Sequence, residues 1–154
     1  MKLNFKKLRE DAVTPAYATE GDAGLDLCAL DATVIPAGGR KLVPTGIAVE
    51  LPPHTVGLVC SRSGLAYKKG VFVLNAPGII DSGYRNDVGV ILQNTGDEDF
   101  VIEAGDRIAQ LVVQEFIAVK LVEVEELGDS ARGQGGFGST GIRTAVTEEI
   151  SASV

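Results

Sequence analysis

The strongest constraint on this chain is how short its apolar runs are and how closely they are punctuated. Hydrophobic residues alternate with period two at Leu25/Leu27/Ala29, Ile47/Val49/Leu51, Val88/Val90/Leu92 and Val119/Leu121, the last continuing into Val122 and Val124. Successive side chains of a strand point to opposite faces, so each run reads as a half-buried β-strand. Turn-forming clusters separate them: Pro36-Ala37-Gly38-Gly39, Leu51-Pro52-Pro53, Ala76-Pro77-Gly78, Asp81-Ser82-Gly83 and Asn94-Thr95-Gly96-Asp97. These intervals leave no room for the crossover helices that parallel strands need. The predicted class is therefore all-β, with a compact barrel or jelly roll as its natural architecture. A helix of one or two turns fits only at Ser63–Lys68.

The chain has 154 residues, 45% of them hydrophobic, which is enough to bury one substantial core. Composition changes after Leu127, where Gly128 to Gly141 offers almost nothing to bury except Phe137. We therefore divide the chain into a barrel domain, 1–128, and a flexible arm, 129–154, whose segment 142–154 reads as disordered. Fourteen Lys and Arg against 21 Asp and Glu give a net charge of −7. That balance argues against a nucleic-acid surface, whose affinity rests on neutralising phosphates. No apolar run approaches the roughly 20 residues of a membrane-spanning helix, and the basic N-terminus leads into acidic residues instead of a signal core. Cys28 and Cys60 match no metal spacing and read as reduced core thiols of a cytoplasmic protein. The lone histidine, His54, follows Pro52-Pro53 and reads as a surface turn residue.

The ingredients of anion binding nonetheless recur. Ser61-Arg62-Ser63-Gly64 combines a guanidinium that clasps phosphate in a fork, small hydroxyls, and a glycine that lets backbone amides approach. Arg107 and Gln110 repeat the theme beside a turn. Gly133-x-Gly135-x-x-Gly138 has the letters of a dinucleotide fingerprint without its strand-then-helix context, and Ser139 stands where a Walker loop needs lysine. What remains is a run of exposed amides with Arg132 and two hydroxyls, able to order on phosphates, and Phe137, able to stack on a base. Asp22 and Asp26, an even number of residues apart, are expected on one strand face, with Asp81 at a turn. Carboxylates beside a polyphosphate point to Mg²⁺.

Five segments then resemble, in order, the motifs of the trimeric deoxyuridine triphosphatase family. They are Asp22 to Leu27, Arg62 to Ala66, Asn75 to Arg85, Gly105 to Leu111 and Arg132 to Gly141. The resemblance implies a jelly-roll-like protomer, a homotrimer with shared active sites, and hydrolysis of dUTP to dUMP and diphosphate. It implies that Asp81 deprotonates the water attacking the α-phosphorus and that Asp26 holds Mg²⁺ through water. Arg62, Ser63, Gly64 and Gln110 would contact phosphates, while Arg132, Gly138 and Ser139 close over the β and γ groups. Arg107 would support the site through salt bridges. The hairpin carrying Asn75, Gly78, Ile79, Ile80 and Asp81, together with Gly89, would pair with uracil, and Tyr84 would lie under the deoxyribose and exclude a 2′-hydroxyl.

Two positions depart from the family pattern. Ser61 replaces a common proline and is expected to loosen the approach to Arg62; Asn86-Asp87 replaces a glycine and an acid, with Asn86 expected in a left-handed turn. Two rival readings share the fold. A dCTP deaminase needs a base-side glutamate, and Glu98, Glu103 and Glu115 lie outside the hairpin; a dUTP-sensing regulator could use the 142–154 tail.

Overall fold

The computed structural model describes residues 1–136. Its strands are β1 (Asn4–Lys7), β2 (Leu25–Cys28), β3 (Thr33–Ile35), β4 (Arg40–Val43), β5 (Ile47–Glu50), β6 (Thr55–Cys60), β7 (Val71–Val73), β8 (Gly78–Ile80), β9 (Val90–Asn94), β10 (Phe100–Ile102) and β11 (Arg107–Glu115). The helix α1 spans Ser63–Lys69 and ends on Gly70, whose φ of 65° lets its N–H turn back to the Ala66 and Leu65 carbonyls. Every strand pairing among the described residues is antiparallel, as the short connections require.

The strands form four small sheets ordered β1–β5, β3–β10, β2–β11–β6–β8 and β4–β9–β7. All contribute to one core, in which Leu27, Ile35, Val43, Ile47, Leu92, Ile102 and Leu111 are fully buried. Each such side chain contributes about 2 kcal/mol through removal from water. Alternating burial runs cleanly along β6 and β9, the signature of strands with one face inward. This is the all-β barrel that the alternation predicts, with the helix where Ser63–Lys68 placed it.

One alternating run behaves differently. Val119, Leu121, Val122 and Val124 form no strand, and all four are exposed, Leu121 at 91%. The last strand among the described residues ends at Glu115, and the chain divides into a compact unit Met1–Ala118 and a second unit from Val119 onward. Period-two spacing marks a segment fit for a strand, but a strand also needs a neighbour, and this one has none within the described chain. The tail 142–154 lies outside the described residues.

Candidate active site

Register across the largest sheet gathers half of the predicted site. Gln110 of β11 stands opposite Asp26 of β2 on one side and Cys60 of β6 on the other, so the three form one row on one face. Cys60 is half-buried and leads through Ser61 to Arg62, which caps α1 in an extended conformation. Arg62, Ser63, Gly64 and Gln110 consequently line a single open cleft of about 370 Å³.

Asp26 anchors this cluster. Its side chain is buried at 8% exposure; Oδ2 accepts a hydrogen bond from Arg107 Nη1 at 3.0 Å, and Arg62 Nε lies 3.4 Å from Oδ1. Arg107 reaches it because the ladder slips between Arg107 and Ala109, an irregularity that re-aims the side chain. Arg62 also donates through Nη1 to the Arg107 carbonyl at 2.9 Å, so its guanidinium is held on two sides. Arg107 thus forms a salt bridge of the kind expected of it. Oδ1 of Asp26 has no hydrogen-bond partner, because Arg62 approaches it as a charge and not along a hydrogen bond, and its lone pairs stay open. Behind the row, burial and the nearby Asp26 carboxylate push the Cys28 thiol above its ordinary range.

Several residues here carry more than the sequence reading assigned. Gly24 lies against Gln110: a Cβ there would sit 3.0 Å from Gln110 Cβ, so a side chain at position 24 would press on the Gln110 side chain. Ser61 is tied down, not loosened, because its Oγ accepts the Val73 N–H at 2.9 Å. Asn86 is not left-handed, since among the described residues only His54 combines a side chain with positive φ. The position after it does the work instead. Asp87 Oδ1 accepts from the Thr45 N–H, the Thr45 hydroxyl and the Gly46 N–H, pinning this loop to the start of β5. Asp22 is not on β2; it is exposed in the preceding turn, where its carboxylate accepts the Thr19 N–H.

The remaining predicted residues form a second cluster. β8, with Gly78, Ile79 and Ile80, pairs with β6 through Val59↔Gly78 and Gly57↔Ile80, and Asn75 packs close over Gly78. Asp81 follows, exposed, its carbonyl accepting the Tyr84 N–H. Tyr84 donates its hydroxyl to the Asp87 carbonyl, and the Gly89 N–H donates to the same carbonyl. This pairing runs away from Arg62. Asp81 lies one step beyond the Gly57↔Ile80 pair, level with Val56, and the strand rise from Val56 to Cys60 separates it by about 13 Å from the end of β6, with Arg62 two residues further on. The structure brings the residues expected to read the base together and those expected to hold phosphates together, and keeps the two groups at different ends of β6 within one chain.

In the second unit, Arg132 Nε donates to the Gly135 carbonyl at 2.8 Å. Phe137, Gly138 and Ser139 lie outside the described residues.

Comparison with known proteins accords with this arrangement. The dUTPase family model matches residues 10–141. The deoxyuridine 5′-triphosphate nucleotidohydrolase of Hydrogenobaculum is 54% identical over 93% of this chain and all of its own length, and that of Crocosphaera subtropica is 51% identical over 92% and 100%. Among solved structures, the staphylococcal bacteriophage 80α dUTPase with dUpNHpp superposes at a TM-score of 0.86 with 30% identity, covering 92% of this chain and 99% of its own. A dUTPase mutant from phage phi11 of S. aureus, described with a structural Mg(II) ion, superposes at 0.78 with 26% identity, covering 84% and 100%. With its motifs laid out on a barrel of the same form and its sequence matched nearly end to end, the chain belongs to the dUTPase family.

Proposed function

We propose that this protein hydrolyses dUTP to dUMP and diphosphate, which keeps uracil out of DNA and supplies dUMP for thymidylate synthesis. The observation that carries the reading is the division of labour just described. A preassembled, cationic cleft suited to phosphates stands on one part of the barrel, and a hairpin edge suited to a base, ending in an exposed carboxylate, stands on another. Asp81 stands level with the start of β6 and Arg62 follows its far end, and the two halves are read as meeting between subunits of a homotrimer. The arm's Arg132, Phe137, Gly138 and Ser139 complete the site over the β- and γ-phosphates and the base.

In this reading Asp81 orients a water and takes its proton as the oxygen attacks the α-phosphorus; the bond from that phosphorus to the bridging oxygen breaks, and diphosphate leaves. A lone aspartate is a weak base, so positioning carries most of the rate. Arg62, Ser63, Gly64 and Gln110 hold the phosphates in line. Backbone groups of Asn75, Gly78, Ile79, Ile80 and Gly89 read the uracil edge, and cytosine would leave their buried polar groups mispaired. Tyr84, whose hydroxyl donates to the Asp87 carbonyl, is assigned to lie under the deoxyribose and exclude a ribose 2′-hydroxyl.

Asp26 fits a magnesium site. Its Oδ1 is buried with open lone pairs, and no group of three or more potential ligands exists among the described residues. A hard cation keeping its own waters needs one carboxylate acceptor and phosphate oxygens, not a protein cage. When bound, Mg²⁺ supplies charge neutralisation of the triphosphate. The unpaired Cys28 and Cys60 support placement in the reducing cytoplasm.

Diphosphate release measured with dUTP, dTTP, dCTP and UTP tests the reading. Only dUTP is expected to turn over appreciably; comparable use of UTP removes the role of Tyr84, and ammonia release from dCTP overturns the assignment.

A further inference from the structure

Two lysines outside the residues assigned so far line the same cleft as Arg62, Ser63, Gly64 and Gln110: Lys68 and Lys69, in the last turn of α1. Both are exposed, and among the described residues neither forms an ion pair. Their backbone is fixed by the Gly70 cap that ends the helix.

The charge inventory of the cleft makes these two the active part of its field. Arg62 and Arg107 share the Asp26 carboxylate, so two guanidiniums and one buried anion leave a single net positive charge, and both guanidiniums are held in place by Asp26 or by backbone. The molecule as a whole carries −7 and repels a polyanion. Lys68 and Lys69 add two positive charges to this cleft, on flexible stems that keep their ammonium groups hydrated and mobile, and Lys69 also lines an adjoining cleft with Asp99 and Asp106. Local charge of one sign in a cleft raises the encounter rate of an oppositely charged ligand, and salt screens that attraction.

We propose that Lys68 and Lys69 are an electrostatic capture pair that draws the polyphosphate of the incoming nucleotide into the cleft before Arg62 and Gln110 engage it. The proposal rests on the reading of this cleft as the phosphate half of a dUTP site. A purely structural role, offsetting the carbonyl end of α1, would show in stability and not in the salt dependence of catalysis.

The test uses the full-length protein, with kcat/KM for dUTP followed from about 0.02 to about 0.5 M ionic strength, over which the screening length falls severalfold. The double variant Lys68→Gln, Lys69→Gln should lose on the order of tenfold in kcat/KM at the lowest salt, carried by KM, with a flatter salt dependence that converges on wild type at the highest. The double variant Lys68→Arg, Lys69→Arg should track wild type throughout. A glutamine variant that matches wild type at every ionic strength overturns the proposal, as does a loss of constant size across the range. A wild-type chain without dUTP turnover overturns the functional reading and the capture role with it, whereas active wild type with indifferent lysine variants removes only the capture role.

Discussion

In the proposed reaction, Asp81 and Asp26 divide the work of two carboxylates through their surroundings. Asp26 is buried, shares two guanidiniums and keeps one oxygen open, so it serves as a fixed acceptor. Asp81 is exposed at a strand end, in the place where a proton acceptor must meet water. Asp81→Asn preserves shape and removes the base, so turnover of dUTP should fall on the order of 100-fold or more while nucleotide binding survives. Steady-state kinetics beside titration with dUpNHpp separates the two quantities; near-normal turnover means Asp81 is not the base. Gln110 illustrates a dependence invisible one residue at a time, since its amide lies where Gly24 has no side chain. Gly24 carries that steric reason independently of any role of its own.

At the scale of elements, the segment from β6 through α1 to β7 is the joint of the fold. It leaves the sheet β2–β11–β6–β8, presents the Arg62 clasp and the lysines of α1, and enters the sheet β4–β9–β7. Val73 pairs with Leu92 of β9 on one side, and on the other its N–H would face an unpaired edge without the Ser61 hydroxyl. Ser61→Ala strands that N–H beside a side chain only 2% exposed, and should cost about 1–3 kcal/mol, the penalty of an unsatisfied buried donor. Urea unfolding at fixed protein concentration measures it, with Ser61→Thr expected to hold; an alanine variant as stable as wild type refutes the tie. Sequence patterning made the strands at Leu25, Ile47 and Val88 legible because each buries one face against its own chain. It made the cleft of Arg62, Ser63, Gly64 and Gln110 legible because these residues belong to short motifs. The ties of Ser61 and Asp87 were not legible, because their partners lie across space from them, and Asp22 was misplaced because even spacing implies a common face only where both residues are in the strand.

At the scale of the whole molecule, the chain on its own is left unfinished in two ways. The alternating run at Val119 to Val124 exposes apolar side chains that find no partner among the described residues, and the clasp and the hairpin stand apart. In the proposed homotrimer a neighbouring copy would bring the clasp and the hairpin together, and cyclic symmetry then sets a quantitative expectation. Let one variant be Asp81→Asn, with its clasp intact, and the other Arg62→Gln, with its carboxylate intact; each homotrimer is impaired at every site. If a site takes Asp81 from one subunit and Arg62 from a neighbour, a mixed trimer of either composition contains one site of its three with both groups native. Random reassembly of equal amounts should then restore about one quarter of wild-type activity, falling as either variant is taken in excess. If one chain supplied both groups, every site in every hybrid would lack one of them and mixing would restore nothing. Unfolding and refolding the variants together, verifying hybrid trimers by mass, and assaying diphosphate release distinguishes the two cases. Confirmed hybrids as inactive as their parents would place Asp81 and Arg62 in the same site from the same chain, against the strand register that separates them.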